Sequence, residues 1–319
     1  MIRRNPTVPD HFLVLDRQSS FGEYARAYGD QLADHYENRG VIVVPHMPID
    51  FDLEYFQMLT FPPAWKKIGT ANGIEKPVFT RSGENFEVNQ DNPLVALYKN
   101  PTHASYVQCQ IASFNAQLRA GVRQLFPYYH SLQEANITWR LCETPEEGMH
   151  MDVFGNGIPV PGEFRALHRL KVFINIDTLP RRWRTSFDMA RVLKAGRGTL
   201  PQALPNDVNV VSGVIDKFGV LKDLPYHEVD YPTMSAVFVN AEVVAHEVVY
   251  GRRMVAVEMF CDKRDMLDAR LHTHECLPHW LKEAGYDIAA DPAAVAAQYA
   301  KMKGSYQLLQ DGRERAAEV

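Results

Sequence analysis

One short segment limits the choice of fold more than any other part of the chain. Between His168 and Asp177, every second position is apolar: Leu170, Val172, Ile174 and Ile176. The positions between them are mostly polar, which predicts a β-strand with one apolar and one polar face. Further β-rich segments follow at 235–240 and 254–260.

In the N-terminal part, apolar residues recur at helical spacing instead. A capping-box pattern at Ser20 and Glu23 predicts a helix that ends near Gly40, before a buried strand at 41–44. A second amphipathic helix is predicted over 102–126, ended by Pro127. Two further helices are predicted over 278–284 and 291–309, followed by a frayed tail at 311–319.

Helices followed by spaced strands, without strict βαβ alternation, predict an α+β protein whose β-barrel or sandwich is braced by helices. A parallel doubly wound sheet is disfavoured. The 319 residues contain no linker-like or repeated segment, so we expect a single domain. Its parts would be a helical N-terminal part (1–135), a β-rich core (136–262), and C-terminal helices with a tail (263–319).

Charge and cysteine usage narrow the class of protein. A formal charge of −5 argues against a nucleic-acid partner bound over a broad basic face. No apolar run is long enough for a transmembrane segment, and four widely spaced cysteines are typical of reduced thiols, so we expect a cytoplasmic protein. The sequence has no basic amphipathic helix of the kind that would predict membrane docking. Peripheral membrane contact stays open.

Familiar motifs for dinucleotides, P-loops, esterases and zincins are absent. A metal site remains. The pattern His-x-Asp/Glu occurs at His35-x-Glu37 and His150-x-Asp152. The first pair lies in a predicted helix, where positions i and i+2 point about 200° apart. The second opens the β-rich half, where i and i+2 share one face of a strand.

His246, at the end of an apolar strand, is the best third donor. Two histidines and one carboxylate on one face of an octahedron describe a non-haem Fe(II) site with open positions for a co-substrate and O2. Zinc is disfavoured. The alternative is that the histidines are ordinary hydrogen-bonded groups and that Asp152 caps a turn before Gly155.

Two other clusters are candidates. The first is a rival zinc site with CxxH spacing, formed by His272, His274, Cys276 and His279. The second is a basic run with one acidic residue, Asp188, among Arg181, Arg182, Arg184, Arg191, Lys194 and Arg197. It predicts either a solvated helix face or a site for a carboxylate, which guanidinium groups bind bidentately.

Several segments together resemble the Kdo hydroxylase family of Fe(II)/2-oxoglutarate oxygenases, which act on the 3-deoxy-octulosonic acid sugar of lipopolysaccharide. The segments span about residues 25 to 285; they are 39–45, 125–129, 135–140, 148–154, 170–177, 180–183, 245–246 and Gly251. The resemblance implies a double-stranded β-helix, or jelly roll, over 136–262. It also implies an iron site at His150, Asp152 and His246.

The resemblance further implies 2-oxoglutarate as co-substrate. By similarity to the Pro-Lys-x-Trp segment of JmjC-type oxygenases, Arg181 is the candidate for its far carboxylate, with Lys171, Asn175 and Arg253 as further candidates. The implied reaction is hydroxylation of an unactivated C–H bond on an acidic sugar such as Kdo of lipid A, a glycolipid substrate. Charged residues after Gly251 depart from the family, which leaves a free amino acid or natural-product intermediate as the alternative substrate. A jelly-roll binding protein without metal is the alternative from another class.

Overall fold

The computed structural model describes residues 1–62, 65, 67–143, 147–153, 155 and 157–304. The N-terminal part is mainly helical, with short strands between the helices. Its elements are β1 (Ile2–Arg3), β2 (Phe12–Val14), α1 (Phe21–Tyr28), α2 (Asp30–Glu37), β3 (Val41–Val44), α3 (Leu53–Met58), β4 (Ile68–Gly69), β5 (Phe79–Ser82), β6 (Asn85–Val88), α4 (Pro93–Tyr98) and α5 (Pro101–Leu125).

The β-rich half follows, and four helices interrupt or follow its strands. Its elements are β7 (Gln133–Arg140), β8 (Glu147–His150), β9 (Leu167–Asn175), β10 (Arg181–Asp188), α6 (Met189–Ala195), β11 (Ala203–Pro205), α7 (Val208–Lys217), β12 (His227–Tyr231), β13 (Ala236–Val239), β14 (Val244–Tyr250), β15 (Met254–Asp262), α8 (Thr273–Ala284), β16 (Asp287–Ala289) and α9 (Pro292–Tyr299).

Two large sheets form the centre of the fold. A five-stranded sheet has the order β1-β12-β10-β14-β8, and a seven-stranded sheet has the order β2-β3-β13-β9-β15-β7-β4. In these two sheets, neighbouring strands are antiparallel except the parallel pair β2–β3. From β7 to β10 each successive strand lies in the other large sheet, and β12 to β15 repeat this alternation. The α+β class is therefore confirmed.

Strand β9 separates two apolar cores. Leu170, Val172 and Ile174 are fully buried in the same core as Phe114 and Leu118 of α5. Phe173, on the opposite face, belongs to a second core with residues of β10, β14 and helices α6 to α8. The strictly apolar face predicted from the sequence thus packs on the N-terminal helices, and the polar face is turned toward the other sheet.

Most sequence-based boundaries are confirmed, including the strand at 41–44 and the long helix α5. The single helix predicted from Ser20 to Gly40 is instead two helices. Ser20 caps α1 as expected, but Gly29 adopts a φ of 44° and divides the helix. Glycine takes this left-handed conformation without the steric penalty that a Cβ imposes.

Two other boundaries differ for reasons of packing. Helix α8 starts at Thr273 and contains Pro278, because burial of Cys276, Leu277 and Trp280 outweighs the lost backbone hydrogen bond. The start of the basic run is not a helix face but strand β10, with Arg182 paired to Asp230 on its outer side. The helix predicted to Leu309 ends at Tyr299 instead, and the described residues 300–304 are not helical. Residues 305–309 and the tail at 311–319 lie outside the described residues. Within the described ranges, no helix has the length and apolarity needed to cross a bilayer.

Candidate metal centre

His150 and Asp152 are close together in the sequence, and the fold brings them to His246, which is far away in the sequence. His150, the last residue of β8, is directly opposite His246 of β14 in the five-stranded sheet. The Nε2 atom of His150 lies 3.5 Å from Oδ1 of Asp152, and Nε2 of His246 lies 3.9 Å from Oδ2. One ligand atom from each residue lies within 4.8 Å of the other two. The structure thus brings together the three residues that the sequence analysis selected.

Asp152 lies beyond the end of β8, not on the strand as its spacing from His150 predicts. Its backbone N–H donates to the carbonyl oxygen of Ala241 at 2.8 Å. Ala241 belongs to the turn between β13 and β14, so the turn that leads into the His246 strand also positions Asp152.

Backbone contacts fix the orientation of both imidazoles. Nδ1 of His150 lies 2.7 Å from the carbonyl oxygen of Gly148, and Nδ1 of His246 lies 2.9 Å from that of Val244. A carbonyl oxygen can only accept, so each Nδ1 carries a proton and each Nε2 is the ring nitrogen left to face Asp152. Burial lowers the pKa of His246 to about 4, which favours the neutral ring that a metal requires.

Asp152 is held as a carboxylate. Burial alone opposes its charge, but the Lys171 ammonium and the neighbouring imidazoles keep its pKa well below the usual value. Lys171 donates directly to Oδ2, and Arg169 donates to the main-chain carbonyl of the same residue. Such contacts orient a ligand and fix its charge.

A cavity of about 200 Å³ opens beside the three residues. Its lining includes Phe173 of the seven-stranded sheet and Trp183 of the five-stranded sheet, and Trp183 stacks on the His246 ring with centroids 5.2 Å apart. Arg181 also lines the cavity, with only 3% of its surface exposed. Its Nε and Nη1 atoms are buried and have no hydrogen-bond partner among the described residues.

Gly251 provides the space that Arg181 occupies. A Cβ atom built at Gly251 would lie 1.8 Å from Nη1 of Arg181, which is far inside van der Waals contact. Burial, followed by the charge of Arg140, lowers the pKa of Arg181 to about 9. A buried guanidinium with unused donors is a site for an anion because an anion would satisfy both its charge and its N–H groups.

The other candidates for the co-substrate carboxylate are placed differently. Lys171 reaches the centre but contacts Asp152. The Asn175 amide donates to the carbonyl oxygens of Leu179 and Tyr231. Arg253 donates to the Leu59 carbonyl and lies 3.4 Å from Asp177. Neither Asn175 nor Arg253 is among the described residues that line the cavity.

The rival zinc cluster does not assemble. In the part of the chain that the structure describes, His150, Asp152 and His246 form the only group of three metal-ligand side chains close enough to share an ion. His272 contacts the Leu167 carbonyl, and the Cys276 thiol donates to the Arg270 carbonyl. His35 of the first His-x-Asp/Glu pair contacts the His11 carbonyl.

Other residues of the cavity wall were not among the predicted site residues; they include Lys67, Arg140, Glu147, Ser212 and Asp216. Arg140 and Glu147 lie on β7 and β8, with Nη1 of Arg140 3.6 Å from Oε1 of Glu147. Alternation along β7 could have identified Arg140, because Ile137 and Trp139 face the helical core. Ser212 and Asp216 lie four residues apart on α7, which no motif marked.

No protein-family model matches the sequence, and no curated protein sequence matches it. Solved structures do. The Kdo hydroxylase KdoO, a non-haem Fe(II)/α-ketoglutarate-dependent dioxygenase, in complex with cobalt(II) matches with a TM-score of 0.62 and 16% identity, over 88% of this chain and 98% of that one. Its complex with succinate and Fe(III) matches with a TM-score of 0.61 and 17% identity, over 85% and 96%. At this level of sequence identity the similarity shows the fold alone, and for the fold it confirms the resemblance seen in the sequence. The chain has the fold of the Kdo hydroxylase KdoO.

Proposed function

We propose that the protein is a non-haem Fe(II)/2-oxoglutarate-dependent dioxygenase that hydroxylates an unactivated C–H bond. The main observation behind this proposal is that two imidazole Nε2 atoms and one carboxylate lie close together beside a cavity. The same cavity contains a buried guanidinium, that of Arg181, whose Nε and Nη1 have no hydrogen-bond partner among the described residues. Two histidines and one carboxylate are the ligand set of non-haem Fe(II) oxygenases. The guanidinium supplies what a dicarboxylate co-substrate needs at its other end.

The fold supports the same proposal at a finer level. Strands β7 to β10 and β12 to β15 alternate between two antiparallel sheets, as expected for a double-stranded β-helix. We assign this jelly roll to residues 136–262, within a single oxygenase domain that includes the N-terminal helices. The helices pack on the outer face of the seven-stranded sheet and leave the space between the sheets to the site.

Each residue has a distinct role in this proposal. His150, Asp152 and His246 would hold Fe(II), and Arg181 would bind the distal carboxylate of 2-oxoglutarate. With both groups bound, the centre would supply the O2 activation that hydroxylates the substrate and releases succinate and CO2. Trp183 and Phe173 form an apolar wall that excludes water, and Lys171 maintains the charge of Asp152.

For the substrate we propose an acidic sugar such as Kdo of lipid A, a glycolipid, and the similarity to Kdo hydroxylase structures supports this. The alternative of a free amino acid or natural-product intermediate rested on the charged residues after Gly251. In the structure, however, Arg252 and Arg253 pair with Asp177. Neither is among the described residues of the cavity wall, so this departure does not alter the described site.

A non-catalytic binding protein is less well supported because it gives no reason for converging Nε2 atoms. Anaerobic titration with Fe(II) and 2-oxoglutarate distinguishes the two: we expect a weak visible charge-transfer band that is absent in His150→Ala. If no charge-transfer band appeared in the wild-type titration, the oxygenase proposal would be contradicted. A gain of one oxygen atom in the mass of lipid A sugars, dependent on the gene, would test the sugar.

We also propose that the protein is located in a reducing compartment such as the cytoplasm, and its cysteines support this. All four are free thiols, and Cys142, Cys261 and Cys276 are buried.

A further inference from the structure

A second arginine lies in the same cavity, and neither the ligand set nor the anchor predicted from the sequence uses it. Arg140 ends β7 in the seven-stranded sheet, while Arg181 begins β10 in the five-stranded sheet, and both line the cavity. The side chain of Arg140 is 12% exposed. Like that of Arg181, its Nε atom is buried and has no hydrogen-bond partner among the described residues.

Two guanidinium groups in one cavity destabilise each other unless an anion lies between them. Glu147 lies 3.6 Å from Arg140, and its charge also acts on Arg181, so this one carboxylate is shared by two guanidinium groups. The pKa of Arg181 is lowered first by burial and then by the charge of Arg140, which indicates that the two charges interact. Buried charges with unused donors are stabilised by charge-assisted hydrogen bonds from a carboxylate.

We propose that Arg140 and Arg181 together form a two-guanidinium clamp for the distal carboxylate of the co-substrate. This inference rests on the proposed function. Arg140 is then a co-substrate specificity residue that selects a 2-oxo acid with a second carboxylate. The two arginines approach this carboxylate from opposite sheets, so the clamp also ties the two walls of the cavity together.

The test is calorimetric binding of 2-oxoglutarate to protein loaded with Zn(II), which avoids turnover. A second titration uses 2-oxopentanoate, which has the same chain length but no distal carboxylate. Arg140→Met should weaken 2-oxoglutarate binding roughly 10- to 100-fold, the usual range for hydrogen bonds to charged groups, and change 2-oxopentanoate binding far less. The Arg140→Met/Arg181→Met protein should lose less than the product of the two single effects.

Matched variants separate the clamp from a structural role. Arg182→Met removes an arginine from the outer face of the same strand, where its partner is Asp230, and should leave both affinities unchanged. Glu147→Gln removes the partner of Arg140. If Arg140 only held β8 through Glu147, Glu147→Gln and Arg140→Met would weaken binding alike, and the clamp would be wrong. Arg140→Lys keeps the charge and should fall between wild type and Arg140→Met, which tests the clamp even if Arg140→Met folds poorly.

The outcomes also distinguish this inference from the proposed function. Metal-dependent 2-oxoglutarate binding that Arg140→Met leaves within twofold of wild type would overturn the clamp and leave the oxygenase proposal standing. Wild-type protein that binds metal but no 2-oxoglutarate would overturn both.

Discussion

The two faces of strand β9 differ in composition and in consequence. The face toward the N-terminal helices carries Leu170, Val172 and Ile174, which are fully buried in an apolar core. The face toward the five-stranded sheet carries Arg169, Lys171 and Phe173, which contact the metal centre or line its cavity. One strand therefore stabilises the fold on one side and builds the site on the other, and substitutions on the two sides should separate stability from ligand binding.

The largest effect, loss of turnover, is expected when a buried histidine is removed from the metal centre but not when one is removed from the helical side of β9. His246→Ala should reduce 2-oxoglutarate-coupled oxidation to background because it removes a metal ligand. His168→Ala is the matched control, since His168 is also buried but contacts Tyr129 and Tyr36 on the helical side. It should lower the thermal midpoint and preserve turnover per folded molecule. Coupled turnover by His246→Ala would show that the ligand assignment is wrong.

Adjacent residues of β9 provide the second comparison. Ile174→Ala should lower the free energy of unfolding by about 2–5 kcal/mol, the range for deleting a fully buried aliphatic side chain, without changing 2-oxoglutarate affinity. Phe173→Ala should change both quantities, because Phe173 lines the cavity and contacts Trp183 with ring centroids 4.9 Å apart. Urea unfolding and calorimetry on the same samples measure the two effects. Equal ligand affinities in the two variants would remove the distinction between the faces.

A smaller effect is expected from the space beside Arg181. Gly251→Ala places a methyl group against Nη1 of Arg181 and should weaken 2-oxoglutarate binding about 10-fold by displacing a charge-assisted hydrogen bond. Gly162→Ala is the control, since a Cβ there has open space around it. The prediction fails if both alanine variants bind 2-oxoglutarate equally well by calorimetry.

An effect of similar size, but on metal binding, is expected at Lys171, which the sequence placed among the candidates for the co-substrate carboxylate. Because its ammonium contacts Asp152, Lys171→Met should weaken metal affinity by about 10-fold, typical for loss of a residue that orients a ligand. 2-Oxoglutarate affinity of the metal-saturated protein should change little. The opposite pattern in competition titrations would restore Lys171 as a carboxylate anchor.

Much of this fold could be predicted locally. Alternation identified β9, β-rich composition identified β13 and β15, and helical spacing that ends at Pro127 identified α5, because these patterns reflect residues within one element. Two helix boundaries were wrong: Gly29 divides the helix predicted from Ser20 to Gly40, and Pro278 lies inside α8 instead of starting it. A glycine can break a regular helical pattern, and packing can retain a proline within a helix. The spacing of His150 and Asp152 indicated a ligand pair even though Asp152 lies beyond the strand.

The sequence by itself determined the types of ligand available, the apolar and polar faces of β9, and a basic residue at position 181, because each depends on residues close together in the chain. Only the tertiary structure decided that β14 pairs with β8, which brings His246 to His150. It also decided that Arg181 is left with unused donors while Lys171 contacts Asp152 and Arg253 contacts Asp177. Those outcomes depend on sheet register and on contacts between distant segments, and no local pattern encodes them.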